Sequence, residues 1–396
     1  MEWDQFTFDY RLEMAGLLPD IIQIEAYKES AANLVLPPDW RDQLDRLNRI
    51  RAIHGTTALE GNPLSEAEVS QQIDIAEDPE KSAKLKATRE QQQIRNAGRA
   101  QAWVRSRFAP ERALIGTRDI LHMHRTITES SDEKHNVPGT LRTFPVVVGS
   151  PELGGVHKGA PHDQLPRLMD EYIAFVNSRQ MSDMHPVIRA LLAHFYLVTI
   201  HPFGDGNGRV SRLVEAGILF QGGYNVFGFY GLSNYFYRNE AAYKTCLQNC
   251  RATQPFNVTA FIQFGLKGFA AELKGINNFI KSKLNRVVYR AMLIRAFNKK
   301  TSERRRILNQ REYNLLDYLI RQTEPIDPFS ENPSRQISFS EINSSDYIKA
   351  AYKDVTARTF WRELMRLSSL GFIKFMRAEE KKGPIVELDF GAIGRY

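Results

Sequence analysis

Cysteine is nearly absent. The 396 residues hold two, Cys246 and Cys250. They stand four apart in a helical pattern, which suits two packed thiols rather than a disulfide framework, and no paired histidines accompany them to suggest zinc. Long apolar runs are missing too: none approaches the roughly 20 residues a membrane-spanning helix needs. The opening Met1-Glu2-Trp3-Asp4 is acidic and lacks the basic-then-apolar layout of a signal peptide. These absences lead us to expect a cytoplasmic protein with no membrane partner. A strong charge imbalance is also lacking. The net charge is +7, and much of the excess falls in 294–306. That is compatible with nucleotide or nucleic-acid binding, and equally with a solvated helix face or linker.

What is present is concentrated in one stretch, His201-Pro-Phe-Gly-Asp-Gly-Asn-Gly-Arg-Val-Ser-Arg212, flanked by apolar segments. Glycines allow backbone N–H groups to approach an anion closely. A helix beginning at the end of the loop directs its positive pole to the same point. Arg209 and Arg212, three apart, share a helix face and can clamp phosphate oxygens. Asp205 is a hard oxygen ligand suited to Mg²⁺. His201 at the loop entry is suited to the work of a base. Phe203 reads as a packing anchor.

The stretch fits His-x-Phe-x-Asp/Glu-Gly-Asn-Gly-Arg-x-x-Arg at every specified position and resembles the signature of the Fic family. The resemblance implies transfer of AMP from Mg²⁺-bound ATP to a Ser, Thr or Tyr hydroxyl of a target protein or of the chain itself. It casts His201 as the catalytic base and Asp205 as the metal ligand. Gly206, Asn207, Gly208, Arg209, Ser211 and Arg212 become the nucleotide site. Transfer of UMP or phosphocholine, and removal of AMP, are alternatives that keep the same fold.

Further upstream, the helix expected from Trp40 to Leu59, capped by Asp39 and ended by Gly61-Asn62-Pro63, carries Thr56-Thr-Ala-Leu-Glu60-Gly61. The stretch resembles the inhibitory motif Ser/Thr-x-x-x-Glu-Gly/Asn of Fic proteins. That resemblance implies that Glu60, with Thr56, engages Arg212 and denies it to a γ-phosphate. Ser65–Glu68 starts a second helix with a capping box, and the polar run Lys81–Gln93 reads as exposed helix. Thr143–Gly149 reads as a short strand, and the glycines at 154, 155 and 159 suggest a hairpin. By resemblance this is the family's flap, whose Val147, Val148 and Gly149 border the nucleotide. His122, His124 and His135 are assigned no chemistry, and His194 is read as a core histidine. Tyr243 on an expected helix Asn234–Asn249 is the remaining nucleotide contact. The family's Tyr-Tyr pair reads Ala242-Tyr243 here, so only Tyr243 carries over.

The fold class expected is mainly α: a helical N-terminal region with the inhibitory helix at 1–110, a Fic core with its hairpin at 111–285, and a winged-helix-like domain at 286–396. The core is expected to close with a helix in Phe256–Phe279, and Asn298–Arg306 is read as a linker. In the last domain come a Pro-rich loop at 325–333, a helix Phe339–Ala351, a helix bearing Arg358, Arg362 and Arg366 on one face, and two strands. Such a domain can bind DNA or serve as a protein-docking or dimerisation module. A target protein is the main partner expected, with a homodimer and DNA as further partners. A DNA-binding regulator that uses the Fic core as a sensor is the alternative from another functional class.

Overall fold

The computed structural model describes residues 3–78, 80, 85–108, 113–130, 136–151, 155–225, 228–229, 231–302, 305–325, 335–376 and 383–395. His135, Gly154 and nearly all of the Pro-rich loop lie outside them. The chain is mainly α and forms two compact units, Met1–Leu273 and Lys274–Tyr396.

In the first unit, β1 (Tyr10–Arg11) precedes α1 (Leu18–Ala32), α2 (Pro38–Ala58), α3 (Glu66–Glu77), α4 (Arg89–Phe108) and α5 (Thr117–Thr128). The hairpin β2 (Val147–Ser150) and β3 (Gly155–Lys158) follows, antiparallel, with Val148 opposite His157. Next come α6 (Leu165–Val176), α7 (Arg179–Ser182), α8 (Pro186–Ile200), α9 (Asn207–Gln221), α10 (Ser233–Arg238) and α11 (Glu240–Cys250). Then β4 (Phe256–Asn257) pairs in parallel with β1. Phe6 and Phe8 meet Tyr196, and Phe6 also meets Phe256.

The core is built on α8 and α9. Every residue from Val187 to Ile200 except Arg189 is buried, and Pro186 starts the helix where its missing N–H leaves nothing unsatisfied. Tyr172 of α6 donates its hydroxyl hydrogen to the Ala193 carbonyl, 2.9 Å away. The six residues from His201 to Gly206 turn the chain from α8 into α9, so the signature loop is fixed at both ends by buried helices.

Helix α2 is brought against the core by one small residue. The Gly55 backbone lies so close to α10 that a Cβ there would stand 2.7 Å from backbone atoms of Ser233 and Asn234. At the end of α2, Asn62 is buried and donates to the Glu90 carbonyl and the Gln93 side chain at 3.0 and 2.9 Å. The last turn of α2 therefore has little freedom.

Several sequence-based expectations need correction. Asp39 does not cap α2: the N-cap is Pro37, with Pro38 as the first helical residue and Asp39 in the first turn, where its charge suits the helix dipole. Leu85–Thr88 is not helical, and 81–84 lie outside the described residues. The hairpin strand begins at Val147, not Thr143. The helix expected over Asn234–Asn249 is broken at Asn239, whose φ of −124° and ψ of 37° are not helical. The largest departure is α12, which runs unbroken from Thr259 to Asn298. Its buried face continues through Phe279, Lys283, Arg286, Tyr289 and Leu293. On that face Arg286 donates to Thr323 Oγ1 at 3.1 Å and Lys283 faces Glu324 at 3.8 Å. The basic stretch after α12 holds a small hairpin, β5 (Lys300–Ser302) with β6 (Arg305–Arg306).

The second unit continues with α13 (Gln310–Gln322), β7 (Ile337–Ser338), α14 (Phe339–Ser344), α15 (Asp346–Ala351), α16 (Ala357–Ser369), β8 (Ile373–Met376) and β9 (Ile385–Leu388). The helix expected over Phe339–Ala351 is thus two helices that meet at Ser345. The three strands form one antiparallel sheet in the order β7-β9-β8. Leu315, Leu319, Leu364, Leu367, Phe372 and Val386 are among its core residues. Of the three arginines on α16, Arg366 is committed elsewhere: it donates to the buried Glu312 carboxylate at 2.6 Å and to the Ile307 carbonyl at 2.7 Å. Arg358 and Arg362 are exposed.

Candidate active site

His201 closes α8 in the left-handed region, at φ 55°. Its Nδ1 lies 3.2 Å from the Val198 carbonyl. A carbonyl can only accept, so Nδ1 carries the proton and Nε2 keeps its lone pair. Burial pushes the imidazole pKa down to about 4. The ring is therefore neutral near pH 7, the form a base must have. It lines a cavity of about 360 Å³ together with Gly208, Arg212, Tyr243, Gln248 and Arg251.

The loop after His201 is held from within and from below. Asn207 returns its side-chain amide onto Phe203, accepting from the Phe203 N–H and donating to its carbonyl, both at 2.9 Å. That amide thereby helps to shape the loop. Ser211 is likewise turned inward, its hydroxyl donating to the Asn207 carbonyl at 2.9 Å. Phe203 is fully buried and stacks on His124 at 3.8 Å with a 6° interplanar angle. His124 Nε2 donates toward the Asp205 carbonyl and Asn136 Oδ1, and its Nδ1 accepts from the Gly139 N–H. Burial pushes the His124 pKa down to about 4. This histidine, assigned no chemistry from sequence, supports the signature loop.

Arg142 was also missed. It is buried, and its guanidinium donates to three carbonyls: His201 at 2.8 Å, Phe144 at 2.6 Å and Ala160. It ties the base of the hairpin to the residue that carries the imidazole. No pattern of residue types could have shown this, because every acceptor is backbone.

The charged groups form two pairs. Asp205 is joined to Arg209 through Nη2. Arg209 is buried, and its Nε has no hydrogen-bond partner among the described residues. A buried orphan donor at a helix N-terminus is what an anion site presents before the anion arrives. Arg212 makes the second pair. Its Nη2 lies 2.6 Å from Glu60 Oε1 and 3.0 Å from the Thr56 carbonyl, while its Nε donates to Thr56 Oγ1 at 2.8 Å. Burial opposes the charge on Glu60, but the guanidiniums of Arg212 and Arg209 outweigh it and hold that pKa below the usual range. Gly208 makes room for the carboxylate: a Cβ at 208 would run into Glu60 Oε1.

Behind Arg212 is a buried chain of hydrogen bonds. Arg212 bonds the Tyr243 hydroxyl, which lies 2.9 Å from His194 Nε2, and His194 Nδ1 lies 2.7 Å from Glu215 Oε2. His194 is thus a fully partnered core histidine. Tyr243 stacks on Phe236 at 4.5 Å and forms part of the cavity wall.

The hairpin completes the wall. Val148 and Gly149 border the His201 cavity, whereas Val147 lines a neighbouring cavity of about 880 Å³ with Val156, Lys158 and Pro161. Strand alternation places successive residues on opposite faces. Glu60, Val148, Gly149 and Tyr243 thus lie with His201, Gly208 and Arg212 around one cavity. Val147 sits in the second cavity, and the side chains of Asn207 and Ser211 face the protein.

Comparison with known proteins finds a likeness over part of the chain. Residues 114–219 match the model of the Fic/DOC family. The chain carries a Fic domain. Over 175 residues it is 33% identical to the protein adenylyltransferase Fic of Aedes aegypti, a match covering 44% of this chain and 33% of that protein. With the protein of the same name from Drosophila grimshawi it shares 43% identity over 110 residues, 28% of this chain and 21% of the relative. The matched region is thus a third or less of these relatives. Two solved structures share the fold. A Fic family protein from Desulfovibrio desulfuricans G20 aligns with a TM-score of 0.55 at 18% identity, over 96% of this chain and 97% of that one. Residues 134–508 of Fic-1 from C. elegans align with a TM-score of 0.52 at 21% identity, over 67% of this chain and 74% of that chain. The Fic domain at 114–219 spans the hairpin, α8, the signature loop and nearly all of α9. Glu60, in the turn that follows α2, lies outside it.

Proposed function

We propose that the first unit is an autoinhibited protein adenylyltransferase, which transfers AMP from ATP to a hydroxyl side chain of a target protein and of itself. The observation that carries the chemistry is the state of His201: a neutral imidazole, its proton held on Nδ1 by the Val198 carbonyl and its Nε2 available in the cavity. The relatives named protein adenylyltransferase support the donor.

The attacking hydroxyl gives its proton to His201 Nε2 as its oxygen bonds to the α-phosphorus. The bond from that phosphorus to the bridging oxygen breaks, and pyrophosphate leaves with the electron pair. Arg209, through its unpartnered Nε, takes the β-phosphate. Arg212 takes the γ-phosphate once Glu60 has withdrawn. The N–H groups at the start of α9 lie at the positive end of the helix and suit the α- and β-phosphates. Asn207 acts by holding the loop in shape. Transfer of this kind depends on positioning and charge stabilisation.

Asp205 is the residue that would hold Mg²⁺. Among the described residues no cluster of three acidic, His or Cys ligands exists, and one carboxylate completed by substrate phosphates and water is an ordinary magnesium set. When bound, the ion supplies charge neutralisation between the α- and β-phosphates.

Autoinhibition follows from the Glu60–Arg212 pair. While Glu60 and Thr56 occupy the Arg212 guanidinium, a γ-phosphate has no partner there, and ATP that binds lacks the contact that aligns its α-phosphorus. Incubation of the Glu60→Gly protein with Mg·ATP carrying label at the α- or the γ-phosphate tests this reading. Label from the α position alone, retained on protein after denaturation, supports AMP transfer. Label from the γ position would show phosphorylation instead, and label only from UTP or CDP-choline would move the donor.

The second unit we read as a winged helix, from its order of helix, strand, paired helices, helix and hairpin. With Arg366 bound to Glu312, only Arg358 and Arg362 of the α16 face remain for phosphates, a small footprint. That favours protein docking over DNA. A gel shift at low salt that shows DNA retained, and lost steeply as salt rises, would reverse the preference.

A further inference from the structure

The His201 cavity and the hairpin cavity share two lining residues among those described, Gln248 and Arg251. Arg251 stands at the C-cap of α11. Its Nε donates to Thr199 Oγ1 at 3.0 Å, and its Nη1 to Gln248 Oε1 at 3.1 Å. Gln248 in turn donates to the Gly155 carbonyl of the hairpin at 3.0 Å. The guanidinium lies 5.9 Å from the Phe195 ring centroid. No carboxylate pairs with it among the described residues, and Nη2 has no partner there. Every other arginine placed at this site has a specific occupant: Arg209 has Asp205, Arg212 has Glu60, and Arg142 has three carbonyls. Burial pushes the Arg251 pKa down to about 10, so it remains a cation at neutral pH.

On the adenylyltransferase reading, on which this inference rests, the nucleotide occupies the His201 cavity and the acceptor segment approaches along the hairpin cavity. The α-phosphorus must then sit where the two meet. We propose that Arg251 is a further catalytic residue, which contacts a non-bridging oxygen of the α-phosphoryl group through Nη2 as AMP passes from pyrophosphate to the acceptor oxygen. The acceptor O–P bond forms as the P–O bond to pyrophosphate breaks, with the hydroxyl proton passing to His201. Charge spread over the phosphoryl oxygens during that exchange is what a preformed, partly buried guanidinium stabilises. Thr199, two residues before His201, and Gln248, bonded to the hairpin, fix the guanidinium between base and flap. A merely structural Arg251, closing the end of α11 against the helix dipole, predicts no sensitivity to the chemistry at phosphorus.

The two roles separate in single-turnover self-labelling of the Glu60→Gly protein with native, Gln or Lys at 251. ATP and the two diastereomers of ATPαS serve as donors. We expect Arg251→Gln to lower the labelling rate by about 10²- to 10³-fold with ATP affinity unchanged, and Arg251→Lys to recover part of it. The native residue should discriminate between the diastereomers, and Arg251→Gln should lose that discrimination. An unchanged rate, or an unchanged diastereomer preference with a slower rate, overturns the proposal. Should Arg251→Gln fail to fold, Arg251→Lys carries the test, because a relocated ammonium must alter the diastereomer preference if 251 contacts the phosphoryl oxygen. Absence of labelling with native Arg251 would overturn the adenylyltransferase reading itself, and this inference with it.

Discussion

Arg212 and Glu60 lie 152 positions apart in sequence and meet at 2.6 Å. Arg212 is almost wholly buried, and Glu60 keeps 30% of its side chain exposed. The pair joins the turn that follows α2 to the first turns of α9. It also fills the space left by the absent side chain at Gly208.

Glu60→Gly should therefore both activate and destabilise. Freed from its carboxylate, Arg212 can take the γ-phosphate, and coupling between such a latch and a ligand site is typically worth about 5- to 150-fold. Without nucleotide, the buried guanidinium loses its charged partner but keeps the Thr56 bonds, at a cost of about 1–3 kcal/mol. Urea titration with and without Mg·ATP measures this. Nucleotide should restore stability to the variant more than it adds to the native chain.

Gly55→Ala tests the same latch from a distance. The added methyl meets the Ser233–Asn234 backbone and must push α2 outward. Self-labelling should rise in the direction of Glu60→Gly, though less, while Glu60 itself is intact. If labelling stays at the native level and the variant is as stable as the native chain, the close approach does not hold the latch.

The pH profile follows from His201. Its pKa in the folded protein is lowered to about 4, so the neutral base persists above that value and is lost as pH falls through about 4. Because kcat/KM reports the free enzyme, its acid limb for the Glu60→Gly protein should fall near 4. It should be flat across the range where an ordinary histidine titrates. Removing Glu60 takes away a charge that raises the His201 pKa, so the substitution pushes the limb no higher.

Arg142→Ala should slow transfer without weakening ATP binding, since the residue orients the His201 backbone and touches no part of the proposed phosphate site. Three carbonyls lose their donor, and stability should fall by about 1–3 kcal/mol. Arg142→Lys reaches fewer carbonyls and should lie between the two. Comparison of the labelling rate with ATP affinity checks the claim; parallel loss of both would place Arg142 in nucleotide binding.

The parts of this site legible in the sequence were those defined by residue type and spacing. His201, Asp205, Arg209 and Arg212 stand in one stretch of twelve residues, and Glu60 has a short pattern of its own. The hairpin showed in its β-branched run and glycines, although its strand starts later than expected. The supporting residues had no such signal. Arg142 bonds only backbone carbonyls, His124 acts through stacking and one tautomer, and Arg251 is defined by lacking a carboxylate. Asn207 and Ser211 fit the pattern of ligand-binding residues, yet their side chains serve the loop and helix. The length of α12 was not legible, because the charged Lys283 and Arg286 lie on its buried face and interrupt the apolar pattern there.

The central claim, that His201 drives AMP transfer in a site restrained by Glu60, is tested most directly by adding His201→Ala to Glu60→Gly. Both proteins receive Mg·ATP labelled at the α-phosphate, and ATP affinity is measured alongside. The account predicts covalent label on Glu60→Gly and a rate reduced by at least about 10²-fold in the double variant, with ATP still bound. Equal labelling of the two proteins would contradict it.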